Sequence, residues 1–66
     1  MIIAKIRISD DVEKMIINFP FDSMEDAKYW STNNIGKKIN NTGLVEHVLL
    51  TDYKTMETTE YEMREI

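Results

Sequence analysis

Apolar and polar residues alternate from the first positions of the chain. Ile2, Ala4, Ile6 and Ile8 are separated by Ile3, Lys5 and Arg7, the period of two that marks a half-buried strand. Ser9-Asp10-Asp11 follows, residue types whose side chains bond nearby backbone groups and favour turns. From Val12 the alternation resumes, with Met15, Ile17 and Phe19 on one face and Lys14, Ile16 and Asn18 on the other. Two such runs joined by a short polar turn predict an antiparallel hairpin. Pro20 has no N–H to give to a ladder, so the second strand is expected to stop there.

The pattern then changes period. Ser23-Met24-Glu25-Asp26 places a capping hydroxyl before two acids, where the positive end of a helix dipole favours negative charge. Met24, Ala27, Ser31, Ile35 and Ile39 fall on one broad stripe at 100° per residue, with Trp30 at its border and Tyr29 facing nearly away, on the side of Gly36. Lys37 and Lys38 would occupy the last turn, and Asn40-Asn41-Thr42-Gly43 would end the helix through left-handed conformations.

After Gly43, Leu44-Val45-Glu46-His47-Val48-Leu49-Leu50 is aliphatic on both faces and predicts a central strand. Thr59, Tyr61 and Met63 alternate with Glu60, Glu62 and Arg64, which predicts a last strand over a competing short helix because Thr and Tyr favour pleated surfaces. The expected fold is therefore α+β: one domain over residues 1–66, in the order β-β-α-β-β, with one helix packed on one face of a small antiparallel or mixed sheet. Were the first and third strands parallel neighbours, the helix would supply the crossover.

Composition narrows the chemistry. A chain of 66 residues buries only about 60% of its unfolded surface, and without cysteine it has neither a disulfide nor a thiolate. His47 is the only imidazole, so the usual zinc staple is not expected. Small domains without a staple often associate, and a homodimer or an obligate protein partner is expected on that ground. MIIAKIRI is too short to span a membrane and has no cleavage motif, so neither a signal peptide nor membrane attachment is expected, and the expected location is the cytoplasm.

No catalytic constellation is legible. His47 stands beside no nucleophile motif, Glu25 and Asp26 are helix neighbours whose side chains diverge, and two glycines do not make a phosphate-binding loop. The expectation is a protein that is not an enzyme, with no cofactor and no metal. Net charge is −4, the wrong sign for a phosphate-binding footprint, although Lys5, Arg7, Lys28, Lys37 and Lys38 form a candidate patch beside Tyr29 and Trp30. Acids concentrate in residues 52–66, where Asp52, Glu57, Glu60, Glu62 and Glu65 face only Lys54 and Arg64. Such a strand is either a solvated edge that resists aggregation or a surface that meets a basic partner.

Tyr29, Trp30, Asn33 and Gly36 on the helix, with Glu57, Glu60 and Glu62 on the last strand, are the candidate protein-binding residues, because aromatic residues are enriched in interface cores. The open face of the sheet is the other candidate surface. In size, acidity and expected architecture, though in no diagnostic motif, the chain resembles small accessory proteins of phages and mobile elements that bind and inhibit a host protein. That resemblance implies an inhibitor or regulator of a host factor, such as one in defence or nucleic-acid processing. The alternatives are a structural homo-oligomeric subunit and a weak nucleic-acid binder using the lysine patch.

Overall fold

Strands β1 (Ile2–Ser9) and β2 (Lys14–Phe21) pair antiparallel along their whole length, from Ile2 opposite Phe21 to Ser9 opposite Lys14. The computed structural model of the chain describes residues 1–10, 12–39 and 43–63. Asp10 closes the hairpin: its N–H donates to the Glu13 carbonyl at 3.0 Å, and its Oδ1 accepts from Val12 and Glu13 N–H at 2.8 and 2.7 Å. The strand begins at Lys14 rather than Val12, which is 90% exposed in the turn. It also runs through Pro20 to Phe21 instead of stopping there. Among the described residues β2 has one neighbour, β1, and an edge strand tolerates a missing donor.

Helix α1 (Met24–Asn34) starts where the capping residues placed it. Ser23 is the N-cap, and its hydroxyl accepts the Asp26 N–H at 3.1 Å, with Glu25 and Asp26 in the first turn. The helix ends early, however, and carries no base in its last turn. Gly36 adopts φ +79°, a conformation that glycine enters without a steric penalty, and its N–H donates to the Val45 carbonyl at 2.8 Å. The chain thus leaves the helix for the sheet. Lys37 accepts from Val45 N–H at 3.0 Å, and Lys38–Ile39 form β3, a strand of two residues absent from the sequence reading. Gly36 consequently shares no helical face with Tyr29 and Asn33. Asn40, Asn41 and Thr42, the expected helix terminators, lie outside the described residues.

Strands β4 (Gly43–Asp52) and β5 (Glu57–Glu62) complete a curled five-stranded sheet in the order β2-β1-β4-β3, with β5 also on β4. Every pairing is antiparallel, including β1 with β4. Of the antiparallel and mixed sheets that the pattern allowed, the antiparallel one forms, and the first and third predicted strands, β1 and β4, are neighbours without being parallel. β2 and β4, both antiparallel to β1, run parallel to each other with β1 between them, and α1 is their crossover. Residues 57–62 are strand, not helix; Arg64, the last residue of the expected alternation, lies outside the described residues.

The register between β1 and β4 shifts at Arg7/Ile8. Val45 pairs with Ile8 and Val48 with Ile6, so Glu46 is the extra residue of a β-bulge, turned outward together with His47. This explains the apolar residues on both faces of the sequence run. The even row of β1 (Ile2, Ala4, Ile6, Ile8) and Val45, Val48 and Leu50 of β4 are buried in one cluster with Ala27 of α1. Ser31 is buried as well, its hydroxyl donating to the Ala27 carbonyl at 2.8 Å. Ile35 and Ile39 pack against the cluster although neither belongs to the helix.

Candidate functional site

The inward row of β2 is the unusual part of the molecule. Met15, Ile17, Phe19 and Phe21 pair with Ile8, Ile6, Ala4 and Ile2, and so point to the side of the sheet that carries the core. Ile17 and Phe21 pack partly against it. Met15 and Phe19 nevertheless stand 42% and 51% exposed. Ile17, Phe19 and Phe21, together with Trp30, Ile39 and Lys38, line an open apolar groove of about 690 Å³. An aromatic run forms its wall: Phe19 and Phe21 have ring centroids 5.1 Å apart, and Phe21 and Trp30 6.2 Å apart, both tilted, within the spacing preferred by interacting aromatic pairs.

The free edge of β2 runs along this groove. The bond from Asp10 N–H to Glu13 carbonyl fixes the alternation of the β1–β2 ladder. Pairs of the same phase (Ile8 with Met15, Ile6 with Ile17, Ala4 with Phe19, Ile2 with Phe21) are the hydrogen-bonded ones. Lys14, Ile16, Asn18 and Pro20 therefore turn their backbone groups away from β1. Pro20 fits this phase, since its position calls for no N–H toward β1. The edge ends beside Asp22, which is exposed.

The opposite face of the sheet is polar. Cross-strand rows place Lys5 beside Leu49 and Glu60, and Arg7 beside His47 and Glu62. Glu46 accepts the Ser9 hydroxyl at 2.6 Å and the Arg7 Nε at 3.2 Å, with Lys14 Nζ at 3.8 Å. These partners, the Ser9 hydrogen bond first, hold the Glu46 carboxyl below its usual range. His47 Nε2 lies 3.6 Å from Glu60 Oε2, and donor atoms of His47, Glu60 and Glu62 all fall within 4.8 Å of one another. One imidazole and two carboxylates suit a divalent cation of the zinc or manganese class. Glu60 and Glu62 are exposed, however, and the strand register, which sets His47 opposite Glu62 with Glu60 two residues away on the same face, accounts for their approach.

The candidate residues read from sequence are dispersed. Trp30 is half-buried and lines the groove, whereas Tyr29 is 74% exposed and Asn33 donates its side-chain amide to the Tyr29 carbonyl at 2.8 Å. Glu60 and Glu62 point to the polar face, while Glu57 has the opposite parity. Lys5 and Arg7 are likewise on the polar face, whereas Lys28 stands on α1 beside Ala27 of the apolar cluster, so the cations of the expected lysine patch sit on different elements. Met15, Ile17 and Phe19 were legible as one apolar row; that they form an edge was not.

No protein family, no curated protein and no solved structure matches the chain. Among the described residues, no helix is long and apolar enough to cross a membrane.

Proposed function

We propose that this chain is a non-enzymatic protein-binding module that works through the groove and free edge of β2. In this reading α1 lies over one face of the sheet, chiefly against β4, and leaves Met15 and Phe19 of the inward row of β2 for a partner. The observation that carries it is the exposure of Phe19 and Met15 on a row whose parity is that of the core. An uncovered apolar row beside unpaired backbone donors and acceptors is the surface on which an added strand gains both hydrogen bonds and side-chain pockets. A small protein of this kind acts by occupying a partner's surface, as an inhibitor or regulator of a host protein does. The net charge of −4 and the divided cations weigh against nucleic acid as that partner.

The test is association measured with and without the row. Sedimentation over a concentration series reads self-association, and capture from the native cell reads other partners. Phe19→Ser, checked for an unchanged circular dichroism spectrum, is expected to weaken whichever association the wild type shows by at least about thirtyfold. Undiminished association in a folded Phe19→Ser variant would overturn the proposal, as would the absence of association from the wild type in both assays.

A further inference from the structure

Resting on that reading, we infer that the occupant of the β2 edge is a second copy of this chain, paired antiparallel through β2 with the two-fold axis at Asn18. The outward backbone groups belong to Lys14, Ile16, Asn18 and Pro20, so the permitted self-pairings bring even-numbered residues opposite one another. Centring the pair on Asn18 sets Lys14 of one copy opposite Asp22 of the other, a cation against an anion. On the polar face Ile16, 57% exposed, meets Pro20. On the groove side Met15 meets Phe21, and Ile17 meets Phe19.

Moving the axis to Ile17 puts Lys14 opposite Pro20 and Ile16 opposite Asn18. At Ile16 it puts Lys14 opposite Asn18 and leaves Asp22 without a partner on the strand. Only the Asn18 axis matches charge with charge and apolar with apolar throughout, the arrangement that stabilises cross-strand pairs. It forms backbone bonds between the two Asn18 residues and from each Ile16 N–H to the opposing Pro20 carbonyl. The missing Pro20 N–H removes one bond per copy. The two grooves then join side by side under one continuous sheet, covering Met15 and Phe19.

The two sheet edges differ in the way this assembly requires. β5 carries Glu57, Glu60 and Glu62, charges that discourage edge-to-edge pairing. The inward row of β2 carries none. Self-pairing is thereby directed to one edge and closes at two copies, since a two-fold contact uses the same surface on both.

Asn18→Cys tests the axis directly, because the chain has no cysteine of its own. A residue on the axis meets its own copy at about 5.5 Å between Cα atoms in a hydrogen-bonded pair, inside the range for a disulfide. Mild oxidation of Asn18→Cys is expected to give a covalent dimer at least about tenfold faster than Lys28→Cys on α1. Lys14→Cys and Asp22→Cys, each slow alone, should cross-link when mixed. Sedimentation should show a wild-type dimer weakened by Asp22→Lys, with circular dichroism unchanged, and restored when Lys14→Glu is added. A dimer in which Asn18→Cys links no faster than Lys28→Cys overturns the Asn18 axis, and one that Phe19→Ser leaves intact overturns the groove reading as well. A wild-type monomer at every concentration overturns the second copy. If that monomer still captures a different protein and Phe19→Ser prevents it, the reading of β2 as a binding surface stands while the self-pairing falls.

Discussion

Ser9 donates its hydroxyl to Glu46 at 2.6 Å across the β1–β4 pair, and the contact exists because of the bulge. In an unbulged strand kept in register at Val48, Glu46 would point with Val48 into the apolar cluster. With the bulge, the carboxylate reaches Ser9, Arg7 and Lys14 on the polar face, while the backbone carbonyl of Glu46 accepts the Met63 N–H at 2.9 Å. One side chain and its own backbone thus tie β1, β2 and the end of β5 to β4.

That arrangement has a pH dependence of definite sign. The Glu46 carboxyl is held below its usual range by the Ser9 hydrogen bond, Lys14 and Arg7. A group whose folded pKa is depressed adds stability above its unfolded pKa, and this is lost as pH falls through the folded value. Thermal melts from about pH 5 to about pH 3 should therefore show a steeper fall in Tm for the wild type than for Glu46→Gln. Asp10 is also depressed, by its bonds to the Glu13 and Val12 N–H groups, but it is present in both proteins and cancels in the comparison. Parallel curves would refute the assignment to Glu46.

Gly43 is fixed by space and by backbone conformation together. Its φ is +146°, a region closed to other residues, and an added Cβ would stand 2.5 Å from the Ser9 carbonyl oxygen. Gly43→Ala is expected to destabilise the fold by at least about 2 kcal/mol, a large part of what a chain this small possesses. Urea denaturation measures it. A midpoint within error of the wild type would show that β1 and β4 are not held this closely.

The sequence pattern shows the strands of this fold well and their neighbours poorly, for physical reasons that differ by element. β1 was legible because a strand buried on one face shows a clean alternation of two, and Ser23 because a capping hydroxyl followed by acids is local chemistry. The end of α1 was not, since Ile35 and Ile39 continue the helical spacing and still reach the core after the chain has left the helix. Tertiary bonds from Gly36 and Lys37 to Val45 decide that exit, and no local pattern records them. The bulge was half visible: Val45 and Val48 are three apart where an alternating strand would place them two or four apart. The groove was hidden altogether. An apolar row such as Met15, Ile17 and Phe19 looks the same whether another element covers it or not.

The β4–β5 hairpin contains an avoidable strain. Met56 holds φ +62° at the close of the Tyr53–Met56 turn, with its N–H on the Asp52 carbonyl, while the Asp52 carboxylate accepts the Lys54 N–H at 2.9 Å. A side chain in the left-handed region carries a penalty of about 1 kcal/mol that glycine escapes and asparagine largely escapes. Met56 is 68% exposed, so little packing is lost by replacing it. Met56→Asn should raise the thermal midpoint by a few degrees, roughly 0.5–1 kcal/mol; a lowered midpoint would mean that the Met56 side chain has a stabilising contact of its own.

Phe19 and Tyr29 separate the two surfaces that an aromatic residue marks on this chain. Both rings are more than half exposed, so exposure alone does not rank them. Phe19 shares its row with Met15 and Ile17 and touches Phe21, which leads on to Trp30; a partner covering it also covers a continuous apolar wall. Tyr29 has Lys28 beside it in sequence and Asn33 one helical turn on, both exposed. Interface energy concentrates where anchors sit in a patch that excludes water, not at isolated rings. Tyr29→Ala should change the association constant by less than about threefold, whereas Phe19→Ser should lower it by at least about thirtyfold. Sedimentation on the two variants reads both constants under one condition. The reverse order would move the binding surface from β2 to the exposed side of α1.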